Sequence, residues 1–564
     1  MLRKGWEFDI GASFGKNVGN SNSNYRKHPH MCNLILQELI PYINRLYNAQ
    51  EDKSFDSIRL NPALTIPELI IKDQIFIKTN DCFVTCYFAK NTNYKPDCCP
   101  NCGSNTLHLK EKKEVLLRHI PNPYPTFICY LTGRFVCPNC KKICSSRNDV
   151  RFGSTSLTKG LYDYVISLFL NDPLLTDKNI AKSVGLHQYQ VTLMIDRYVL
   201  SQYCSQYRLS AIDHAIANSE QISVYGKEMD PLFFCPFKVP PVIRNVLIDE
   251  VSMHGRNYIT HFIDNETGEL LFYAKGNGKA AIQQFCHWGG NHFAEEIRIS
   301  CDMNANYATA FLEYGHKVVI THDKFHVFNN MSLFVMKAID IIAKNHPYLE
   351  LDKKMTKEIT GYFFTKSSYL KEDCKAKLDE VLQVSKELLG LYDATQAIYN
   401  SFDQSQTSEE LYIALKAAIK QLVIINSQGS FFCYQESMEI LRHYYYRLYQ
   451  AYNYQNLSAE EKEDYINNRK CHECAFQKPK KNSPLARLML LLHRHLDTLT
   501  TFAYTRLTSS PIEGFNNGFK ECKHRKYGIK NILRFELRLK VRSLVNYKPN
   551  VSVVTFGTLK SALN

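Results

Sequence analysis

Two matched cysteine pairs constrain this chain more than any other feature of its sequence. Cys99-Pro-Asn-Cys102 and Cys137-Pro-Asn-Cys140 are separated by 34 residues that include strand-like segments. A C-x-x-C turn presents two thiolates to one metal ion, and two such turns complete a closed, tetrahedral site. We therefore expect these four cysteines to hold a structural Zn²⁺. A set of reduced, buried cysteines without metal is the simpler alternative.

The other cysteines carry weaker signals. Cys98 and Cys144 adjoin the two pairs and are alternative ligands, whereas Cys471-His-Glu-Cys474 has no partner pair and is better explained by ordinary cysteines. The chain has 19 Cys in 564 residues, an odd number, and starts without a recognisable secretory signal. We therefore expect a reduced protein rather than a disulfide scaffold, located in the cytoplasm. It has no run of 18 apolar residues, so no membrane partner is expected.

Apolar patterning predicts a multidomain α+β protein. Residues 11–30 are rich in Gly, Asn and Ser and are typical of a flexible arm, while residues 68–90 alternate as strands do. The expected regions are an N-terminal region (1–95), a zinc-binding module of the ribbon type (96–148), a helix-turn-helix domain (150–210), the first part of a catalytic core (240–332), an all-helical block (333–502) and the end of the core (503–546).

Residues 176–196 predict two short helices joined by a tight turn at Gly185. Ile180 and Ala181 supply apolar positions on the first helix. Any αα-hairpin would show this pattern, but the adjacent cysteine module and the net charge of +14 favour a DNA-binding helix-turn-helix. In that case the residues expected to face DNA are His187, Gln188, Gln190 and Thr192.

From Val242 onward the sequence predicts short strands and helices in the order βββαβαβ, which is the ribonuclease H-like α/β arrangement. Asp249 lies in the first strand, Asp302 directly follows the strand at 297–301, and Glu513 begins a late helix. Phosphoryl transfer on DNA by two metal ions needs clustered carboxylates that hold ions roughly 4 Å apart. The cofactor expected at such a site is Mg²⁺, or Mn²⁺ in its place.

Each carboxylate also has a purely structural interpretation. Asp249 could be a strand-end turn residue, and Asp302 could cap the helix predicted after it. Ser510-Pro-Ile-Glu513 matches a capping box with Ser510 at the N-cap, which would occupy Glu513.

The helix that follows Glu513 favours a functional site. Asn516 and Lys520 lie on the same helix face as Glu513. The segment Lys520–Arg542 contains nine Lys or Arg against two acidic residues. Although such a run is usually a solvated face, its position beside a metal ligand predicts phosphate contacts. The residues expected to bind DNA here are Lys523, Arg525 and Lys526.

Taken in order, these motifs resemble the insertion-sequence DDE transposases of the ISL-three group. The resemblance spans roughly residues 95–545 and is carried by the cysteine module, the helix-turn-helix, Val246-Leu-Ile-Asp-Glu250, Ser300-Cys-Asp-Met303, Asp323-Lys-Phe-His-Val327 and Ile512-Glu-Gly-Phe-Asn516. It implies that the core is interrupted by the helical block between the second Asp and the Glu. It also implies that Asp249, Asp302 and Glu513 bind the catalytic metal and that Asp323 and His326 lie nearby.

The resulting expectation is a transposase that binds the inverted-repeat ends of its element, frees a 3′-hydroxyl by hydrolysis and joins it to target DNA. Its partners would be double-stranded DNA and, since two ends must be paired, at least one further copy of the chain. The alternatives are a domesticated or inactive transposase that only binds DNA, and a structural zinc protein with no DNA role.

Overall fold

The computed structural model is a mixed α+β protein that divides into two units. It describes residues 39–546 except 432–457, 463–482, 526–531, most of 55–64, 304–316 and 346–358, residue 461 and a few stretches of four residues or fewer. The first unit comprises Met1–Ile222, Glu228–Lys238 and Gly528–Asn564, and the second comprises Ser223–Lys227 and Val239–Tyr527. The expected flexible arm at 11–30 and the pair Cys471 and Cys474 lie outside the described residues. No helix within the described ranges is long and apolar enough to cross a membrane.

The first unit opens with a five-stranded sheet. Helix α1 (Ile43–Glu51) precedes strands β1 (Leu69–Lys78), β2 (Phe83–Asn91), β3 (His108–Asn122), β4 (Tyr124–Val136) and β5 (Ile143–Ser145). The order is β1-β2-β4-β3, with β5 paired to β4, and only β2 and β4 run parallel. Leu46 of α1 packs with Phe88 and Phe127 in a buried cluster on the sheet. The strands predicted between 68 and 90 are therefore present as β1 and β2.

Four helices follow in the same unit: α2 (Lys159–Asn171), α3 (Asp177–Val184), α4 (Gln188–Tyr203) and α5 (Gln206–Asn218). The Thr176 hydroxyl accepts the backbone N–H of Asn179 and so caps α3. Gly185, at φ +65°, ends α3 in the left-handed region that a residue with a Cβ rarely adopts. The two helices and the tight turn predicted at 176–196 are thus present.

The last described helix of the chain, α15 (Ile532–Asn546), belongs to this first unit. Arg534 donates to Asp196 at 3.1 Å and to Asp177 at 3.2 Å. Arg538 also pairs with Asp177 and is almost fully buried, stacked 5.2 Å from the ring centroid of Phe169. These two cations of the basic segment 520–542 therefore serve internal ion pairs, and burial lowers the pKa of Arg538 to about 10.

After two short paired strands, β6 (Ile222–Val224) and β7 (Lys227–Met229), the second unit forms a sheet of its own. Its elements are β8 (Ile243–His254), β9 (Asn257–Asp264), β10 (Leu270–Lys275), α6 (Lys279–Gly289), β11 (Phe293–Cys301) and β12 (Lys317–His322). The strand order is β10-β9-β8-β11-β12; the first three pair antiparallel, and β11 runs parallel to both β8 and β12. Phe285 of α6 stacks on Phe262 of β9 at 4.2 Å and anchors this helix to the sheet.

A helical block follows β12, as the sequence predicts. It contains α7 (Lys324–Asn345), α8 (Glu372–Val384), α9 (Lys386–Gln404), α10 (Ser408–Asn426), α11 (Pro484–Arg494), α12 (Leu496–Thr500) and α13 (Phe502–Thr505), and it leads into α14 (Ser510–Arg525). These helices share one buried core that includes Val335, Leu391 and Leu492. The block returns to the sheet at β12, where the hydroxyl of Thr501 donates to the carbonyl oxygen of Ile320 at 2.8 Å.

We predict that Arg538→Ala will loosen the helix-turn-helix. Asp177 would stay nearly buried with only Arg534 as counter-charge, and the loss should be roughly 3 kcal/mol of unfolding free energy. Hydrogen exchange of the full chain should show lower protection of the α3 amides. The control is Lys182→Ala, which removes an exposed cation from α3 and should change the unfolding free energy by less than about 0.5 kcal/mol. Unchanged α3 protection in Arg538→Ala would contradict the prediction.

Candidate functional site

The second sheet brings three acidic residues to one edge. In the parallel pair β8 and β11, Leu247 faces Ser300, so Asp249 and Asp302 lie two residues beyond facing positions. In the parallel pair β11 and β12, Cys301 faces His322, so Asp302 and Asp323 each follow facing residues. The register therefore places Asp249, in the middle of β8, near Asp302 and Asp323, which follow the ends of β11 and β12.

A small cleft lies at this edge. It is lined by residues of β8 and β11, by the residues that follow β11 and β12, and by residues around the starts of α7 and α14: Ile248, Asp249, Ser300, Cys301, Asp302, Asp323, His326, Ser509 and Ile512. Asp249, Asp302, Asp323 and His326, which the sequence placed in one site, therefore share a single cleft.

Asp249 is held from both sides. Its Oδ1 accepts the backbone N–H of Glu250 at 2.8 Å, and its Oδ2 accepts the side-chain amide of Asn516 at 2.6 Å. The pKa of Asp249 is raised above its ordinary value, mainly because the carboxyl group is buried. The two hydrogen bonds and the nearby His326 offset part of this rise. Asn516 is itself buried. Its hydrogen bond to Asp249 places the face of α14 that carries Asn516 against β8.

His326 lies between the other two acidic residues. Its Nδ1 is 3.9 Å from Asp302 Oδ1, and its Nε2 is 3.9 Å from Asp323 Oδ2. Asp302 Oδ1 accepts the backbone N–H of Met303 at 2.6 Å, and its side chain is 42% exposed, whereas that of Asp323 is 3% exposed. Solvent therefore reaches the site from the side of Asp302.

Glu513 lies in the first turn of α14 but is not among the residues lining the cleft. Its Oε1 accepts the Ser509 hydroxyl at 3.1 Å, and its N–H bonds to the Ser509 carbonyl. The capping box predicted with Ser510 at the N-cap is therefore wrong in its partner: Ser510 is already the first residue of α14, and the Ser509 hydroxyl contacts the Glu513 carboxylate.

Glu250 is a further acidic residue that sequence reasoning did not single out. Burial, followed by the charges of Asp249 and Asp302, raises the pKa of its carboxyl to about 7. The sequence feature that points to Glu250 is the acidic pair Asp249-Glu250 directly after an apolar run.

The four cysteines of the two pairs form one cluster. Cys99 Sγ lies 3.6 Å from Cys140 Sγ, and Cys102 Sγ lies 3.5 Å from Cys137 Sγ. Of the described Cys, His, Asp and Glu residues, these alone form a group of three or more whose ligand atoms all lie within 4.8 Å of one another. The cluster is compatible with a structural zinc ion, since it offers four soft ligands in one place.

The two cysteine turns have the same backbone geometry. Gly103 N–H bonds to the Cys99 carbonyl at 2.9 Å, and Lys141 N–H bonds to the Cys137 carbonyl at 2.8 Å. Both Gly103 and Lys141 have positive φ, at 73° and 58°. A hydrogen bond from the Cys140 backbone lowers the pKa of Cys137 to about 6, which favours the thiolate that a metal binds.

The two alternative ligands lie outside this cluster. Cys144 Sγ is 3.8 Å from the Phe135 carbonyl oxygen, and Cys98 is exposed. Neither thiol is therefore part of the group formed by the four cysteines of the matched pairs.

The residues expected to face DNA have different environments in the helix-turn-helix. His187 caps α4, since its ring accepts the Tyr189 N–H at 3.3 Å and its own N–H bonds to the side chain of Gln190 at 3.1 Å. Gln188 is exposed, but Thr192 donates to Asp177 at 2.7 Å. Thr192 therefore holds α4 against α3.

On α14, Lys520 is exposed and Lys523 donates to the Ser252 carbonyl at 3.3 Å. The side chain of Arg525 and the whole of Lys526 lie outside the described residues.

Comparison with known proteins bears on the second unit. The model of the ISL-three family of DDE proteins, described as "Transposase", matches residues 246–459 and 434–539, which together span more than half of the 564 residues. The match contains every cleft residue. None of the curated proteins compared with the chain matches it.

We predict that Cys137→Ser will lower the zinc content of the purified protein from about one ion per chain toward zero, because a site with three thiolates is incomplete. Metal analysis of the full chain measures this. Cys144→Ser should keep its zinc, since Cys144 lies outside the cluster. Equal zinc in both variants would refute the assignment of Cys137 as a ligand.

Proposed function

The chain belongs to the ISL-three family of DDE transposases, and on that premise we propose that it cleaves DNA at the inverted-repeat ends of its own element and joins them to target DNA. The observation that carries this proposal is the meeting of Asp249 and Asp302 at one end of two parallel strands. The strand order β10-β9-β8-β11-β12, antiparallel and then parallel, supports a ribonuclease H-like core. The helical block between β12 and α14 is then an insertion in that core.

The donor set suits hard divalent ions. Oxygen atoms of Asp249, Asp302 and Asp323 surround the cleft, and Glu513 stands on the helix beside it. Such donors fit Mg²⁺ or Mn²⁺, which would supply the charge that activates the attacking hydroxyl and stabilises the leaving oxygen. We assign Asp249, Asp302 and Glu513 as the ligands of the Mg²⁺ or Mn²⁺ ion. We assign the four cysteines as the ligands of a structural Zn²⁺. Asn516 and the Glu250 N–H hold the Asp249 carboxylate in position for this role.

The proposed reaction has two steps at this site. In the first, water attacks a phosphodiester at the element end, the bond from phosphorus to the 3′ oxygen breaks, and a 3′-hydroxyl is released. In the second, that hydroxyl attacks a target phosphodiester, forms a new bond and displaces the target's own 3′ oxygen. Rigid strands favour both steps, because they keep the carboxylates in place during the attack.

The first unit is proposed to bind the element ends. His187, Gln188 and Gln190 lie around the start of α4, where a recognition helix contacts base edges. Lys520, Lys523 and Arg525 of α14, and Lys526 next to them in the sequence, are proposed to contact phosphates. Because two ends must be joined, we propose that at least two copies of the chain act together on DNA in the cytoplasm.

We predict that Asp249→Asn, Asp302→Asn and Glu513→Gln will each lower cleavage of end-containing duplex in Mg²⁺ by at least about a hundredfold, because each removes a charge that stabilises the transition state. Binding to the same DNA without Mg²⁺ should be unchanged. Glu313→Gln, an exposed acid of the same unit, is the matched control and should cleave normally.

Cleavage that survives in one variant would remove that residue from the proposed ligand set. Wild-type protein that binds element ends but never nicks them would instead support the non-catalytic alternative, a transposase-derived DNA-binding protein.

We also predict that Asn516→Ala will reduce cleavage by about 10- to 100-fold with end binding unchanged, because Asp249 loses the 2.6 Å hydrogen bond that orients it. Asn517→Ala is the matched control: it changes the adjacent residue, which is exposed. Equal cleavage by the two variants would show that the amide of Asn516 does not position Asp249.

A further inference from the structure

Asp323 is the most deeply buried carboxylate of the cleft, with 2% of the residue exposed. Its Oδ1 accepts the Phe325 N–H at 3.1 Å, and its carbonyl accepts the Val327 N–H at 3.3 Å. These bonds make it the N-cap of α7 and fix the orientation of the carboxyl group. The position of its second oxygen is therefore set by the start of the helix.

That second oxygen, Oδ2, is buried and has no hydrogen-bond partner among the described residues. The Nε2 atom of His326 lies 3.9 Å from Oδ2, which is too far for a hydrogen bond. Lys324, the adjacent cation, lies 3.9 Å from Asp403 instead. Burying a carboxylate oxygen without a hydrogen-bond donor costs free energy. No described residue donates a hydrogen bond to Oδ2 to offset that cost.

Two more buried oxygens around the cleft are also without partners among the described residues: Ser300 Oγ and Asn516 Oδ1. Ser300 lines the cleft with Asp323, and Asn516 bonds to Asp249. Oxygen atoms that can accept a bond are abundant here, although the Ser300 hydroxyl can also donate. A cleft lined by carboxylate, amide and hydroxyl oxygens is matched by a hard cation rather than by an anion.

We propose that Asp323 is itself a metal ligand, contributing Oδ2 to the ion held by Asp249 and Asp302. The ligand atoms of these three residues do not all lie within 4.8 Å of one another, so the side chains would move together when the ion binds. The proposal rests on the metal-dependent function proposed above and adds a carboxylate to its ligand set. Asp302 and Asp323 extend from facing positions on neighbouring strands, so both can reach an ion in front of the sheet edge. His326, 3.9 Å from both, would then stand beside that ion.

The test is Mn²⁺ binding by the full chain without DNA, measured by electron paramagnetic resonance. Asp323→Asn is well suited to it, since asparagine keeps the size of the side chain and is an equally good N-cap. The variant should bind Mn²⁺ at least about tenfold more weakly than the wild type. Asp340→Asn, an exposed change on the same helix, is the matched control and should bind as the wild type does. Thermal denaturation should give equal melting temperatures for all three proteins.

Asp249→Asn separates this inference from the proposed function. If Asp249→Asn weakens Mn²⁺ binding and Asp323→Asn does not, the site binds metal but Asp323 is not a ligand, and the inference is overturned. Loss of cleavage with normal Mn²⁺ affinity in Asp323→Asn would likewise overturn it, in favour of a role in orienting His326. If Asp249→Asn binds Mn²⁺ as strongly as the wild type does, or if the wild type binds none, the metal-dependent function itself fails.

Discussion

The parallel pairing of β8, β11 and β12 is the constraint on which the site depends. Leu247 faces Ser300, which is 53 positions later in the sequence, and Cys301 faces His322, which is 21 positions later. The hydrogen-bonded register nevertheless places the residues that follow each facing pair side by side. A slip of one residue in either pairing would turn a carboxylate to the opposite face of the sheet. Buried positions such as Val246 and Ile299 oppose such a slip, because it would expose them. The hydrophobic core therefore fixes the site by fixing the register.

The helical block raises a second problem, because it places about 190 residues between Asp323 and Glu513. A long insertion is tolerated when both of its ends are held close together. Here α7 starts directly at Asp323, and the return is held where Thr321 contacts the hydroxyls of Thr501 and Thr505, each at 2.9 Å. Asn516 then bonds to Asp249 on the central strand. The block thus has its own core, while its entry and exit are attached to the same edge of the sheet.

Much of this site could be predicted from sequence, because short-range patterns encode it. The apolar run before Asp302 predicted a strand end correctly, whereas the strand that contains Asp249 continues beyond it to His254. The cysteine spacing predicted the cluster that is observed. The contact between Asn516 and Asp249 could not be predicted, since no local pattern links residues so far apart. The partner of Glu513 was predicted to be Ser510, which has the spacing of a capping box, whereas the hydroxyl that contacts its carboxylate is that of Ser509. Only the observed backbone decides between them.

The basic segment 520–542 shows why charge alone predicts so little about contacts. Its composition suggested one continuous surface for phosphate, yet Lys520 is exposed on α14 whereas Arg538, on α15, is buried against Asp177. Both side chains contribute equally to the net charge, but only an exposed cation can exchange its counterions for a phosphate backbone. A buried arginine has already exchanged water for a carboxylate, and moving it to DNA would leave Asp177 without one of its partners. The salt dependence of DNA binding should therefore follow the exposed lysines and not the arginines of α15.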